Sequence, residues 1–193
     1  MQVYKLTDKN LQTHNRYQWR MNEWHETTGE GQLCSKGWLH FYYSKELALF
    51  LNPLHARIAE PRMFVAEAAG QFKDDYGLKG GCTKLRIVEE IPVVMPTAEQ
   101  CVKFGILCAK IVETDKAWND WADAWLDGSD RSVESARAAR AAAWAAGAAA
   151  WAAAGAWAAW AAGDADWAAE AAENAARTGI KIDLIAIAKQ AME

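Results

Sequence analysis

The stretch Pro96-Thr97-Ala98-Glu99-Gln100-Cys101 (PTAEQC) is where the chain changes from one kind of pattern to another. Thr97 and Gln100 have the spacing of a capping box. The threonine hydroxyl can accept from the backbone N–H three residues on, and the glutamine side chain can reach back to the threonine N–H. A helix is therefore expected from here to about Val112. Cys101, Phe104, Cys108 and Val112 recur on one face at three- and four-residue steps, a face expected to pack on a sheet. Before Pro96 the chain is mixed polar and β-branched with turn residues; after it, helical patterns run almost without interruption. The expected fold class is α+β: a small mixed or antiparallel sheet domain over residues 1–96, packing helices over 97–128, and an all-helical Ala/Trp-rich bundle over 129–193.

Toward the N-terminus, Thr83 to Val94 reads as a strand interrupted, or made an edge, by Pro92. Arg62 to Ala66, Val3 to Leu6 and the aromatic segment Trp38 to Tyr43 (WLHFYY) read as further strands. Ser44 suits the N-cap of a short helix, Lys45 to Leu51, ended by Asn52 and Pro53. The four glycines of Gly70 to Cys82 (GQFKDDYGLKGGC) mark a mobile loop, or a hairpin tip, able to cover a ligand.

Toward the C-terminus, Thr114 or Asp115 starts a new turn. Trp118, Trp121 and Trp125 follow at helical spacing, and Gly128 suits a helix end. Ser129, Asp130 and Ser132 can cap a long helix containing Ala141 to Gly163, AAAWAAGAAAWAAAGAWAAWAAG, built from alanine, tryptophan and glycine alone. Alanine favours the helix, and each tryptophan hides roughly 150–250 Å² when buried. At about 100° per residue Trp144 and Trp151 share one face, whereas Trp157, Trp160 and Trp167 fall opposite. Such a helix is gripped from two sides, as in a bundle, and a homo-oligomer through residues 129–193 is expected. The run lacks leucine, isoleucine and phenylalanine and spreads its tryptophans along its length, so no membrane partner is expected. Thr178-Gly179 ends this region, and Asp183 to Met192 reads as a last short helix.

A net charge of −4 over 193 residues argues against a duplex nucleic-acid partner, which calls for a basic stripe. Cys34, Cys82, Cys101 and Cys108 show no CxxC pair and no metal spacing with the four histidines. Free thiols in a reducing cytoplasm and no metal are the expectation. The opening MQVYKLTDKN lacks the basic-then-apolar order of a signal peptide.

Chemistry is concentrated in the first half, where the candidate ligand-binding residues are Tyr4, Lys5, His40, Tyr42, Tyr43, Ser44, Arg86 and Glu90. Aromatic rings stack on a base, while lysine and arginine neutralise phosphate. Several of these features also have a plainer reading. Alternation along WLHFYY assigns half of its residues to core or cross-strand pairs, and His40 can be a hydrogen-bonded structural histidine. Glu89 and Glu90 on one strand point to opposite faces, and Lys79-Gly80-Gly81 reads as a turn.

The order of these segments, with Gly37-Trp38-Leu39-His40 ahead of a short helix, resembles a small domain found repeatedly in bacteriophage and prophage proteins. The resemblance covers roughly residues 1–112, and the Ala-rich tail is similar to tails of such proteins. More distantly, the order is similar to the ADP-ribosyltransferase fold. In that resemblance His40, Tyr42, Tyr43 and Ser44 match the middle motif, Glu89 or Glu90 the late acid, and Tyr4 and Lys5 stand where those enzymes carry an arginine or histidine. It implies a phage-derived protein of the host bacterial cytoplasm that binds and sequesters a nucleotide-like, ADP-ribose-derived immune signal without catalysis. An ADP-ribosyltransferase acting on a host target, or an interaction protein without a ligand, are the alternatives. No catalytic residue and no cofactor are assigned.

Overall fold

The first 95 residues form β1 (Gln2–Thr7), β2 (Gln12–Thr13), a 3-10 turn (His14–Arg16), β3 (Tyr17–Gln18), β4 (His25–Glu26), β5 (Leu39–Phe41), α1 (Lys45–His55), β6 (Arg62–Asp75) and β7 (Lys79–Ile91). The computed structural model describes residues 1–132, 134–136 and 165–193, and the chain divides between Met95 and Pro96 into two units.

β1, β6, β7 and β4 are hydrogen-bonded in that order, all antiparallel, with β5 also on β7. One further pair changes the shape of the sheet. Tyr42, just past β5, exchanges both backbone hydrogen bonds with Tyr4 of β1, each at 2.9 Å. The ladder therefore runs β1–β6–β7–β5 and back to β1. Closing so few strands needs sharp bends, and β6 supplies them with register shifts at Val65/Ala66 and between Ala69 and Phe72. Gly70 sits in the second at φ +81, where a Cβ would also lie 2.2 Å from the Thr83 hydroxyl. Val3, Trp19, Phe41, Phe64, Leu85 and Ile87 fill the core between the strands.

Two sequence expectations change in this unit. β6 runs on to Asp75 and β7 begins at Lys79, so Gly70 to Cys82 is the tip of the β6–β7 hairpin, the second of its two readings, while Lys79-Gly80-Gly81 opens β7 rather than forming a turn. Gly80 and Gly81 are strand positions under close neighbours: a Cβ on the first would sit 2.3 Å from the Phe41 ring, and on the second 2.3 Å from Leu33. Helix α1 starts as expected, with the Ser44 hydroxyl accepting from Leu47 N–H at 3.1 Å, but passes through Pro53 to His55. Proline so near the end removes only one internal bond. Asn52 then organises the exit, its side chain exchanging hydrogen bonds with the Ile58 backbone at 2.9 and 3.2 Å.

The second unit contains α2 (Ala98–Val112), α3 (Lys116–Asp127), α4 (Ala165–Arg177) and α5 (Leu184–Met192) among its described residues. Both capping-box bonds are made: Gln100 N–H donates to Thr97 Oγ1 at 3.2 Å and Thr97 N–H to Gln100 Oε1 at 2.9 Å. Cys101, Phe104, Cys108 and Val112 are buried, and α2 packs against α3, α4 and α5. The sheet expected as its partner is thus replaced by helices, because periodicity tells that a face is covered and not by what. Gln100 Nε2 also donates to the Met192 carbonyl at 2.7 Å, tying α2 to the end of α5. Asp115 caps α3 through Trp118 N–H at 2.8 Å, Gly128 ends it at φ +80, and Trp118, Trp121 and Trp125 are buried along its inner face. The chain is α+β. The Ala141–Gly163 run, with Trp144, Trp151, Trp157 and Trp160, lies outside the described residues; Trp167 on α4 is 43% exposed. Among the described residues no helix is long and apolar enough to cross a membrane.

Candidate functional site

The sheet unit carries a cleft of about 410 Å³ between β5 and the two stretches that precede it, residues 13–19 and 27–38. That volume lies within the roughly 300–1,000 Å³ typical of small-molecule sites. Its wall is chemically one-sided. Lys5, Lys36, His14 and His40 line it, and no carboxylate does.

Lys5 is the unusual member, a lysine only 8% exposed on the strand closing the ring. Its Nζ donates to the His40 carbonyl at 2.7 Å and lies 4.8 Å from the centre of the Trp19 ring. A backbone oxygen and an aromatic face attract an ammonium without neutralising it, so desolvation prevails and its pKa falls from 10.5 to about 8. The nearby Cys82 thiol offers no counter-charge, since burial pushes it up to about 11. His40 is also displaced toward its neutral form, chiefly by burial. Its Nε2 lies 2.6 Å from the Leu33 carbonyl, which can only accept, so that nitrogen carries the proton.

Backbone turns bring the remaining wall together. Asn15 and Arg16 both take left-handed conformations, φ 59 and φ 57, in the 3-10 turn that carries His14 to the rim. Two successive L-residues there cost of order 1–3 kcal/mol each. Opposite, Gly29 N–H donates to Gly37 O at 2.9 Å, closing the loop that presents Cys34, Ser35 and Lys36. Gly37 is required: a Cβ would sit 2.0 Å from the Glu30 carbonyl oxygen. Trp19, 1% exposed, is packed edge-on by Tyr17 at 5.2 Å and donates to Thr13 Oγ1 at 3.0 Å. Tyr17 is 38% exposed and lines the cleft. Thr27 Oγ1, also on the wall, is buried with no hydrogen-bond partner.

Residues 1–96 match the model of a domain of unknown function, DUF7666. Every residue lining the cleft falls inside that match. The matched segment stops at the capping box, short of the 112 residues of the resemblance drawn from sequence. No curated protein and no solved structure matches the chain.

Of the eight sequence candidates, Lys5 and His40 meet in this cleft; the structure does not bring the other six there. Tyr4 and Tyr42 close the sheet, Tyr42 being buried and stacked on the His55 ring at 6.1 Å. Tyr43 donates to Asp74 at 2.7 Å beside Phe41, and Ser44 is the α1 cap. Arg86 pairs with Glu67 at 2.6 Å under Trp24, and Glu90 with Arg62 at 2.5 and 2.8 Å. Glu89, the other candidate acid, is exposed on β7 and does not line the cleft. Sequence reasoning passed over His14, Tyr17, Thr27 and Lys36. They stand in short irregular segments with no periodicity to read, and the one usable signal was the number of aromatic and basic side chains between Thr13 and Trp38 without a regular element. Among the described residues no group of three or more histidine, cysteine or acidic side chains is placed to hold a metal ion.

Proposed function

We propose that the N-terminal domain binds a small anionic ligand of the nucleotide class in this cleft and holds it without turnover. The observation that carries the reading is the one-sided wall: two lysines and two histidines, no carboxylate, and a buried hydroxyl lacking a partner. Lys5 and Lys36 answer phosphate oxygens, and Tyr17 offers a ring for a base. Transfer of ADP-ribose would need an acid at the reacting ribose. Glu90 is instead engaged by Arg62 and neither it nor Glu89 lines the cleft, so retention is favoured over catalysis.

In the setting that the resemblance to bacteriophage domains implies, such a protein lowers the free concentration of a nucleotide signal of the host, one derived from ADP-ribose fitting both the charge and the ring. Assembly into a homo-oligomer through residues 129–193 is part of this reading, supported by the composition of Ala141 to Gly163. Titration calorimetry with AMP, ADP-ribose and a cyclic dinucleotide tests it. Heat from at least one, lost with the nucleoside alone and reduced at least tenfold in affinity by Lys36→Ala with Lys5→Met, is the expected result. Absence of heat from all three overturns it.

A further inference from the structure

The cleft holds a buried amine with no acid beside it. Lysines that serve only as phosphate anchors are solvated or paired, whereas Lys5 lines the cleft while tethered through one N–H to a backbone carbonyl and covered by the Trp19 ring. We infer that Lys5 is a nucleophile which captures an aldehyde-bearing, phosphorylated ligand as a Schiff base, an inference that rests on the cleft being an anion site.

The step balances without a further reactant. The ammonium first gives a proton to solvent. The amine lone pair then attacks the carbonyl carbon, forming the C–N bond; one N–H proton passes to the former carbonyl oxygen to give the carbinolamine, and the last N–H proton follows as the C–O bond breaks, so that the oxygen leaves as water and the C=N bond forms. Hydrolysis reverses it, so capture is retention by a covalent bond that can be released. Desolvation makes the first proton cheap to lose. Roughly a tenth of an amine with a pKa near 8 is unprotonated at pH 7, against roughly one part in three thousand for an ordinary lysine. The His40 carbonyl accepts an N–H from ammonium and amine alike, so deprotonation does not release the side chain. Lys36 on the opposite loop supplies the charge for the phosphate. Ring-opened ADP-ribose carries such an aldehyde at the end of a diphosphate, which unites this chemistry with the ligand class proposed above.

The experiment incubates the full chain at pH 7 with pyridoxal 5′-phosphate, or separately ADP-ribose, reduces the mixture with cyanoborohydride, and maps adducts by peptide mass spectrometry. Adduct at Lys5 at least tenfold above every other lysine is expected. Tenfold loss of that preference with pyridoxal lacking the phosphate is expected too, as is loss of the cleft adduct in Lys5→Arg, which keeps the charge but cannot form the imine. Lys5→Met is the second variant should arginine disturb the core. Adducts spread evenly over the lysines, or unchanged in both variants, overturn the inference. Calorimetry with AMP, which has no aldehyde, separates the two failures. AMP binding without a Lys5 adduct removes the nucleophile and leaves the anion site; a Lys5 adduct without AMP binding keeps the nucleophile and removes the nucleotide reading.

Discussion

Lys5 Nζ and the main-chain oxygen of His40 lie 2.7 Å apart, so the cation of the first strand is bound to the backbone of the fifth and to no acid. The charge is held by geometry and left unneutralised. An arrangement that leaves a cation in low dielectric costs stability when no anion is bound, and the first prediction follows from that cost.

Lys5→Met should raise thermal stability at pH 7 while weakening ligand binding. The pKa of Lys5 drops from 10.5 to about 8 on folding, so below pH 8 both states are protonated and the folded one bears the whole penalty, up to about 3 kcal/mol. Between pH 8 and 10.5 the unfolded state binds more protons, and the stability of the native chain rises with pH. Denaturant titrations from pH 7 to 10.5 should show the gap between Lys5→Met and the native chain shrinking across that window. A constant gap would mean that Lys5 keeps an ordinary pKa.

Gly37→Ala should destabilise the sheet unit by about 1–3 kcal/mol and weaken the ligand further than that, since the loop must move off the Glu30 carbonyl and takes Lys36 with it. Differential scanning calorimetry and the binding titration read the two effects separately. Unchanged affinity would show that Lys36 does not touch the ligand.

Cys34 is the one exposed thiol of the four, and it lines the cleft. Cys82 and Cys101 are buried with pKa values pushed up to about 11, and the Cys108 thiol is raised further by complete burial. A chromogenic disulfide reagent at pH 7.5 should therefore react quickly with one equivalent of thiol in the native chain and with four after denaturation. Saturating ligand should slow the fast phase at least threefold. Protection at another cysteine would locate the ligand elsewhere.

Glu90→Gln should leave nucleotide affinity unchanged, because its carboxylate is satisfied by Arg62 on the outer surface. Any labelled transfer from NAD to protein that disappears with Glu90→Gln would reinstate the acid and the transferase reading with it.

Ser44→Ala should cost about 1 kcal/mol by removing the hydroxyl that accepts from Leu47 N–H, with no change in ligand affinity. Chemical denaturation alongside calorimetry checks both halves.

Where local chemistry suffices, the sequence could be read directly. The Thr97–Gln100 capping box, the Ser44 cap, the Gly128 helix end and the buried Trp118, Trp121 and Trp125 all follow from contacts within one or two turns. Strand β1 was legible over nearly its whole length, β6 at its start and β7 through its middle, but the length of β6 depended on Gly70 bending it and on Phe41 and Leu33 lying across Gly80 and Gly81, contacts made at long range. The cleft was half legible for the same reason. Lys5 and His40 stood out as a cation and an imidazole on aromatic strands. Tyr42 and Tyr43, equally conspicuous, turned to packing and to Asp74. Lys36 and Thr27 matter because two irregular loops return to the same strand, and nothing periodic encodes that return.

The Tyr4–Tyr42 exchange bears on how a ligand would be received. With β5 fastened to β7 on one side and to β1 on the other, the cleft floor has little conformational freedom left to surrender when it is occupied. Whatever adjusts must do so in the loops that bear Asn15 and Lys36. Capture by such a site is selective in shape at the rim and preorganised at the amine, so the entropic loss on binding falls on the walls while the reactive nitrogen waits in place.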